Sequence, residues 1–119
     1  MELTFDDAAI AKLSPMLGPD RQLLLTFEDG VGPYSQHAMI HMQVQFTLNI
    51  IPANVTPADY DVALASNLGP VRIKGYSQED LDEHLTLRFK ANMDVFTLSG
   101  DGGLIDGNVG LIDFTQQQK

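Results

Sequence analysis

The chain has 119 residues, none of them cysteine, and 16 acidic against 7 basic side chains give a formal net charge of −9. Its length fits one domain, spanning residues 1–119, and a hydrophobic fraction of 44% is typical of a globular protein. The missing cysteines exclude disulfides, thiolate metal ligands and cysteine nucleophiles, and the acidic charge disfavours nucleic acid and anionic membranes as partners.

The first elements predicted along the chain are a short helix and a strand. Within residues 5–17, apolar side chains recur with helical spacing at Ile10, Leu13 and Leu17. Thr4 begins a capping-box pattern, and the proline and glycine residues that follow place the end of the helix near residue 16. The compact apolar run at residues 22–27 predicts the strand.

A long strand is predicted at residues 39–51, after a loop at residues 29–33. Apolar and polar residues alternate along it, which indicates a strand with one buried and one exposed face. The apolar face consists of Met42, Val44, Phe46, Leu48 and Ile50. Thr47 and Asn49 belong to the polar face.

In the second half of the chain, short apolar or alternating runs between turn residues predict several short strands. The strand patterns fall at residues 60–64, 70–74, 85–89, 95–98 and 104–114, the last interrupted at 106–108. Ser77 is predicted to cap one helical turn, and Asp101-Gly102-Gly103 predicts a hairpin turn. Without βαβ alternation, the pattern predicts a mainly β fold with an N-terminal α-helix: a mainly antiparallel β-sandwich, or an open barrel of mixed short strands.

Four glycine-containing stretches carry a family resemblance. They are Asp29-Gly30-Val31-Gly32-Pro33, Ser66-Asn67-Leu68-Gly69-Pro70, Lys74-Gly75-Tyr76 and Gly103-Leu104-Ile105-Asp106-Gly107-Asn108-Val109. Together with the opening helix, they resemble the HesB-like, A-type iron-sulfur biosynthesis domain, in its short Firmicute-type branch that lacks the cluster-binding cysteines. The resemblance implies a HesB-like fold and a role in iron-sulfur cluster biogenesis.

The resemblance also identifies what this chain lacks. In A-type scaffold members, a cysteine in the loop after the first strand and a Cys-Gly-Cys near the C-terminus hold iron or a cluster. The corresponding stretches here, residues 32–37 and 100–104, contain no cysteine. The resemblance therefore implies a non-enzymatic accessory or degenerate A-type protein, and a cysteine-ligated iron-sulfur cluster is not expected.

A metal site built on histidine is the first alternative. His37 and His41 are four residues apart, a spacing that can place both rings on one side of a strand or helix. A third ligand would have to come from elsewhere, for example His84 or Asp101. This hypothesis makes the chain a small metal-binding or hydrolytic protein. The competing interpretation is that both histidines face solvent.

A protein-interaction surface is the second alternative. The loop residues Gly30, Gly32, Pro33 and Tyr34, together with Tyr76, can present tyrosine on a rigid sheet. Equally, Tyr34 can pack over the end of a barrel. Partners from the iron-sulfur assembly pathway are expected, and a homodimer is compatible with the resembled family. The N-terminal residues show no signal-peptide pattern, so we expect a cytoplasmic protein.

Overall fold

The computed structural model describes residues 1–27, 46–55 and 57–117. Its helices are α1 (Asp7–Leu13) and three 3-10 helices at Ser14–Met16, Gly75–Asp80 and Phe114–Gln117. Its strands are β1 (Glu2–Phe5), β2 (Arg21–Phe27), β3 (Phe46–Pro52), β4 (Val62–Ser66), β5 (Val71–Ile73), β6 (His84–Lys90), β7 (Val95–Gly100) and β8 (Gly103–Asp113). No helix among these described residues is long and apolar enough to cross a membrane.

The eight described strands form a closed barrel in the order β1-β4-β5-β2-β3-β8-β7-β6, and β6 pairs with β1 to complete it. The mainly β fold with an N-terminal helix is confirmed, and the closed barrel replaces the sandwich or open barrel. Pairing is mixed rather than mainly antiparallel, since β1 is parallel to β4 and β6, β2 to β5, and β3 to β8. Strands joined by long connections can pair in parallel, and this is not visible in local sequence patterns.

The chain begins with a strand rather than with the predicted helix. Leu3 and Phe5 point into the core. β1 pairs with β4 on one side and with β6 on the other, and so closes the barrel. The helix starts two residues later than predicted, because Asp6 and not Thr4 caps it: the carboxylate accepts a hydrogen bond from the Ala9 amide at 2.8 Å. The same oxygen accepts from the Phe89 amide at 3.3 Å and so ties α1 to β6.

The barrel interior forms the main core, and a smaller core covers the outer face of β2 and β3. Phe46, Leu48 and Ile50 point inward as predicted. Thr47 and Asn49, however, are also buried, so the prediction of an exposed polar face was wrong for this part of β3. The reason is a second cluster, in which Tyr60, from the chain after β3, packs with Leu24 of β2 and Ile51 of β3.

The predicted interruption at residues 106–108 is a β-bulge in a continuous strand. Phe96 pairs with Val109 and Leu98 with Asp106, so β8 carries one more residue than β7 across this interval. The hairpin turn between β7 and β8 lies where it was predicted, with Gly100 opposite Gly103 and Gly103 at a φ of 120°.

Gly100 is required by the close approach of a neighbouring loop. A Cβ at residue 100 would lie 2.1 Å from Asp82 Oδ2 and 2.8 Å from Asp82 Cβ, whereas at Gly102 the nearest atom is 3.9 Å away. We expect Gly100→Ala to lower the free energy of unfolding by about 1–3 kcal/mol, because the loop must move. Gly102→Ala is the matched control, and equal denaturation midpoints for the two variants would contradict the assignment.

Candidate functional site

The Lys74-Gly75-Tyr76 stretch forms a site around a buried ammonium group. Lys74 directly follows β5 and has an exposed fraction of 0%. Its Nζ donates a hydrogen bond to the Phe27 carbonyl oxygen at 2.9 Å. The same atom lies 5.9 Å from the ring centroid of Tyr60 and 5.8 Å from that of Tyr76. The cation therefore holds two aromatic rings and the end of β2 together.

The next residues display Tyr76 at the surface. The Gly75 amide donates to Asp61 Oδ1 at 2.8 Å, and a Cβ on Gly75 would lie at the same 2.8 Å from that oxygen, which favours glycine here. Ser77 does not cap the turn as predicted; it lies inside the 3-10 helix, and its hydroxyl donates to the Lys74 carbonyl at 2.6 Å. Tyr76 is thereby held between fixed neighbours with half of its surface, 50%, exposed.

A buried polar network supports Tyr60 from behind. The Tyr60 hydroxyl and Thr26 Oγ1 are 2.9 Å apart, and Asn49 Nδ2 donates to Thr26 Oγ1 at 2.6 Å. All three residues are buried on the outer face of β2 and β3. We call Thr26, Asn49, Tyr60, Lys74 and Tyr76 the Lys74 cluster. Because Thr26, Asn49 and Tyr60 are hydrogen-bonded to one another and Lys74 Nζ lies over the Tyr60 ring, the cluster is a rigid support for the exposed ring of Tyr76.

The predicted site residues divide between described and undescribed parts of the chain. Tyr76 is at the surface, as a contact residue must be. The others, Gly30, Gly32, Pro33, Tyr34, His37 and His41, lie outside the described residues. Sequence reasoning missed Lys74 as a site residue, because lysine is rarely buried and a place directly after the strand Val71–Ile73 does not reveal its burial.

The two residues considered as a third metal ligand do meet. His84 Nδ1 is 3.1 Å from Asp101 Oδ1, the His84 amide donates to Asp101 Oδ2 at 3.2 Å, and Glu2 Oε2 is 3.9 Å from His84 Nε2. These side chains are exposed where β1 meets β6. Within the described ranges, no three His, Asp or Glu side chains are arranged to hold a metal ion.

The neighbouring Glu83 is charged at the same seam. Its carboxylate accepts a hydrogen bond from the α-ammonium group of Met1 at 2.6 Å. This hydrogen bond, with the attraction of the positive charge, lowers the pKa of Glu83. The contact favours the pairing of β1 with β6 at pH values above the usual glutamate pKa, and the contribution is lost as the pH falls through the lowered pKa.

Together, the fold and the site define a small helix-capped β-barrel protein that presents a tyrosine on a buried lysine. The chain belongs to the iron-sulphur cluster biosynthesis family, whose model matches residues 1–113. No curated protein matches it.

Two solved structures are similar along almost the whole chain. One is a Lactobacillus salivarius protein provisionally described as an Fe-S biosynthesis protein with a novel fold; it is 27% identical, with a TM-score of 0.84, and the match covers 96% of this chain and 98% of that one. The other, from Lactobacillus acidophilus and described in the same provisional way, is 25% identical, with a TM-score of 0.74 and coverage of 98% and 92%.

Proposed function

We propose that this chain is a non-enzymatic accessory protein of iron-sulfur cluster biogenesis, a degenerate family member that contacts other proteins instead of holding a cluster on cysteine. The observation that carries the proposal is family membership over residues 1–113 in a chain with no cysteine. Iron-sulfur clusters are held mainly by cysteine thiolates, so the usual carrier mechanism has no ligands here. We place the protein in the cytoplasm, where iron-sulfur assembly proteins would be its partners.

The proposed contact surface is centred on Tyr76. Tyrosine is enriched at protein interfaces because it combines a large apolar ring with a polar hydroxyl, and few rotatable bonds are immobilised when it binds. Here the ring is half exposed and already lies over Lys74 Nζ, so binding requires little ordering. The geometry supports an interaction module better than a catalytic site.

The position of Lys74 supports including the predicted loop in this surface. Lys74 Nζ holds the carbonyl of Phe27, the last residue of β2. The stretch containing Gly30, Gly32, Pro33 and Tyr34 begins three residues further along the chain. Tyr76 follows β5, and Lys74 links it to the end of β2, from which that stretch continues along the chain. We propose that Tyr76 and the stretch act as one contact region.

A binding assay against purified iron-sulfur assembly proteins of the same host tests the proposal. We expect at least one of them to bind, and Tyr76→Ala to weaken that binding by about tenfold or more, as truncation of a central interface tyrosine does. Leu104→Ala removes another exposed apolar side chain and is the matched control, with affinity unchanged within about twofold. Absence of binding by the native chain, or equal losses in both variants, would contradict the proposal.

A histidine metal site is the second candidate function, because His84 and Asp101 lie 3.1 Å apart and can offer a third ligand to His37 and His41. Zinc suits imidazole and carboxylate ligands. Elemental analysis of the native chain and of His37→Ala tests this candidate: about one zinc per chain that is lost in the variant supports it, and a metal-free native chain contradicts it.

A further inference from the structure

A pocket of about 270 Å³ lies between the last turn of α1 and the strands β6, β7 and β8. Its lining includes Lys12, Phe89, Asp94, Phe96, Val109 and Leu111. It is separate from the Lys74 cluster, which shares no lining residue with it. We infer that this pocket binds a small zwitterion with an apolar side chain, which is the chemistry of a free apolar amino acid.

The pocket has an apolar base. The rings of Phe89 and Phe96 are 4.8 Å apart between centroids and tilted by 46°, and Phe96 and Val109 are almost fully buried. Pockets that hold drug-sized ligands usually exceed about 300 Å³, so a space of this size fits one aliphatic or aromatic side chain. The half-buried Phe89 and Leu111 are apolar side chains that a ligand in this pocket can contact, and they favour an apolar group of amino-acid size.

The lining carries one positive and one negative charge that do not neutralise each other. Lys12 Nζ lies 5.5 Å from the ring centroid of Phe89. Neither Lys12 nor Asp94 forms an ion pair with any residue that the structure describes. Both side chains are exposed at the pocket, where a ligand carboxylate can pair with Lys12 and a ligand ammonium group with Asp94. Charge complementarity over an apolar base thus points to a zwitterion.

The turn between β6 and β7 sets the backbone conformation of Asp94. Asp94 has a φ of 54°, the one positive value at a non-glycine residue in the described part of the chain. Asparagine tolerates this conformation as well as aspartate does, and glycine tolerates it without strain, so shape alone does not require a carboxylate. The bulge in β8 ends at Val109, a lining residue, and bulges often re-aim strands beside binding sites.

The test is an NMR titration of the full chain with L-leucine. We expect amide shifts confined to the pocket and a Kd on the order of 1 mM, as for a ligand of this size with few polar anchors. N-acetyl-leucinamide has the same side chain but no charges, and we expect it to bind about tenfold more weakly or not at all.

Two variants remove one charge each while keeping shape. Lys12→Gln and Asp94→Asn should each weaken L-leucine binding about threefold to tenfold, and Asp94→Asn preserves the preference for positive φ. Asp59→Asn, in an exposed turn that does not line the pocket, is the control for the change in net charge and should leave the Kd unchanged. Absence of amide shifts at the pocket in about 20 mM L-leucine, more than tenfold above the expected Kd, would overturn the inference. Equal binding of N-acetyl-leucinamide would also overturn it. So would an affinity for L-leucine that is unchanged in both Lys12→Gln and Asp94→Asn.

Discussion

Asp106→Ala should lower the free energy of unfolding by about 2–4 kcal/mol, because hydrogen bonds to a charged acceptor contribute more than neutral ones and their loss leaves the buried Phe46 amide without its acceptor. Asp106 is only 4% exposed; its Oδ2 accepts from the Phe46 amide and its Oδ1 from the Asn108 amide, both at 2.9 Å. One carboxylate thus joins the β8 bulge to the start of β3.

The matched variant is Asp106→Asn, which keeps the volume and one acceptor oxygen. It should cost about half as much as Asp106→Ala, because one of the two amide hydrogen bonds survives. Urea denaturation followed by circular dichroism measures both. A loss below about 1 kcal/mol for Asp106→Ala would show that the bulge does not depend on this carboxylate.

Lys74→Ala should lower the free energy of unfolding by a similar amount, about 2–4 kcal/mol. The substitution removes the alkyl stem from a fully buried position and the donor to the Phe27 carbonyl, and it takes the cation from between Tyr60 and Tyr76. We expect a cavity beneath Tyr76 and a less ordered ring.

Lys74→Met separates packing from charge. Methionine fills most of the same volume but still removes the donor to the Phe27 carbonyl, so its cost should be about half that of Lys74→Ala, or about 1–2 kcal/mol. Denaturation midpoints of the two variants test the distinction, with Tyr76 ring signals in NMR spectra as a second measurement. Equal, small losses in both variants would mean that Lys74 does not organise the cluster.

Much of the secondary structure could be predicted because its causes are local. The alternation through Phe46, Leu48 and Ile50 identified the inward face of β3, and Asp101-Gly102-Gly103 identified the β7–β8 hairpin. The helix existed where its apolar spacing indicated, although Asp6 rather than Thr4 capped it. Alternation, turn residues and helical spacing can each be recognised from residues that are close together in the sequence.

Closure of the barrel could not be predicted, because it depends on contacts between distant segments. β1 has four residues, and it becomes a strand through parallel pairing with β4 and β6. The Asn67 side chain completes that seam: its Oδ1 accepts from the Phe5 amide and its Nδ2 donates to the Phe5 carbonyl, both at 2.9 Å. A glycine-proline turn therefore holds the first strand, which no local pattern reveals.

The candidate sites show the same limit. Tyr76 was identified from its motif, but lysine is rarely fully buried, so the burial of Lys74 could not be predicted from the sequence. Lys12 and Asp94 are far apart in the sequence, and only folding places them in the lining of the same pocket. The prediction for His37 and His41 stays a prediction, since both lie outside the described residues.

The central claim is that a family scaffold without cysteine works through protein contact rather than by carrying a cluster. The most direct test is anaerobic reconstitution with ferrous iron and sulfide, followed by iron and sulfide analysis and a visible absorption spectrum. We expect far less than one iron per chain after gel filtration and no absorption from sulfide-to-iron charge transfer. Stoichiometric iron and sulfide that elute with the protein would contradict it.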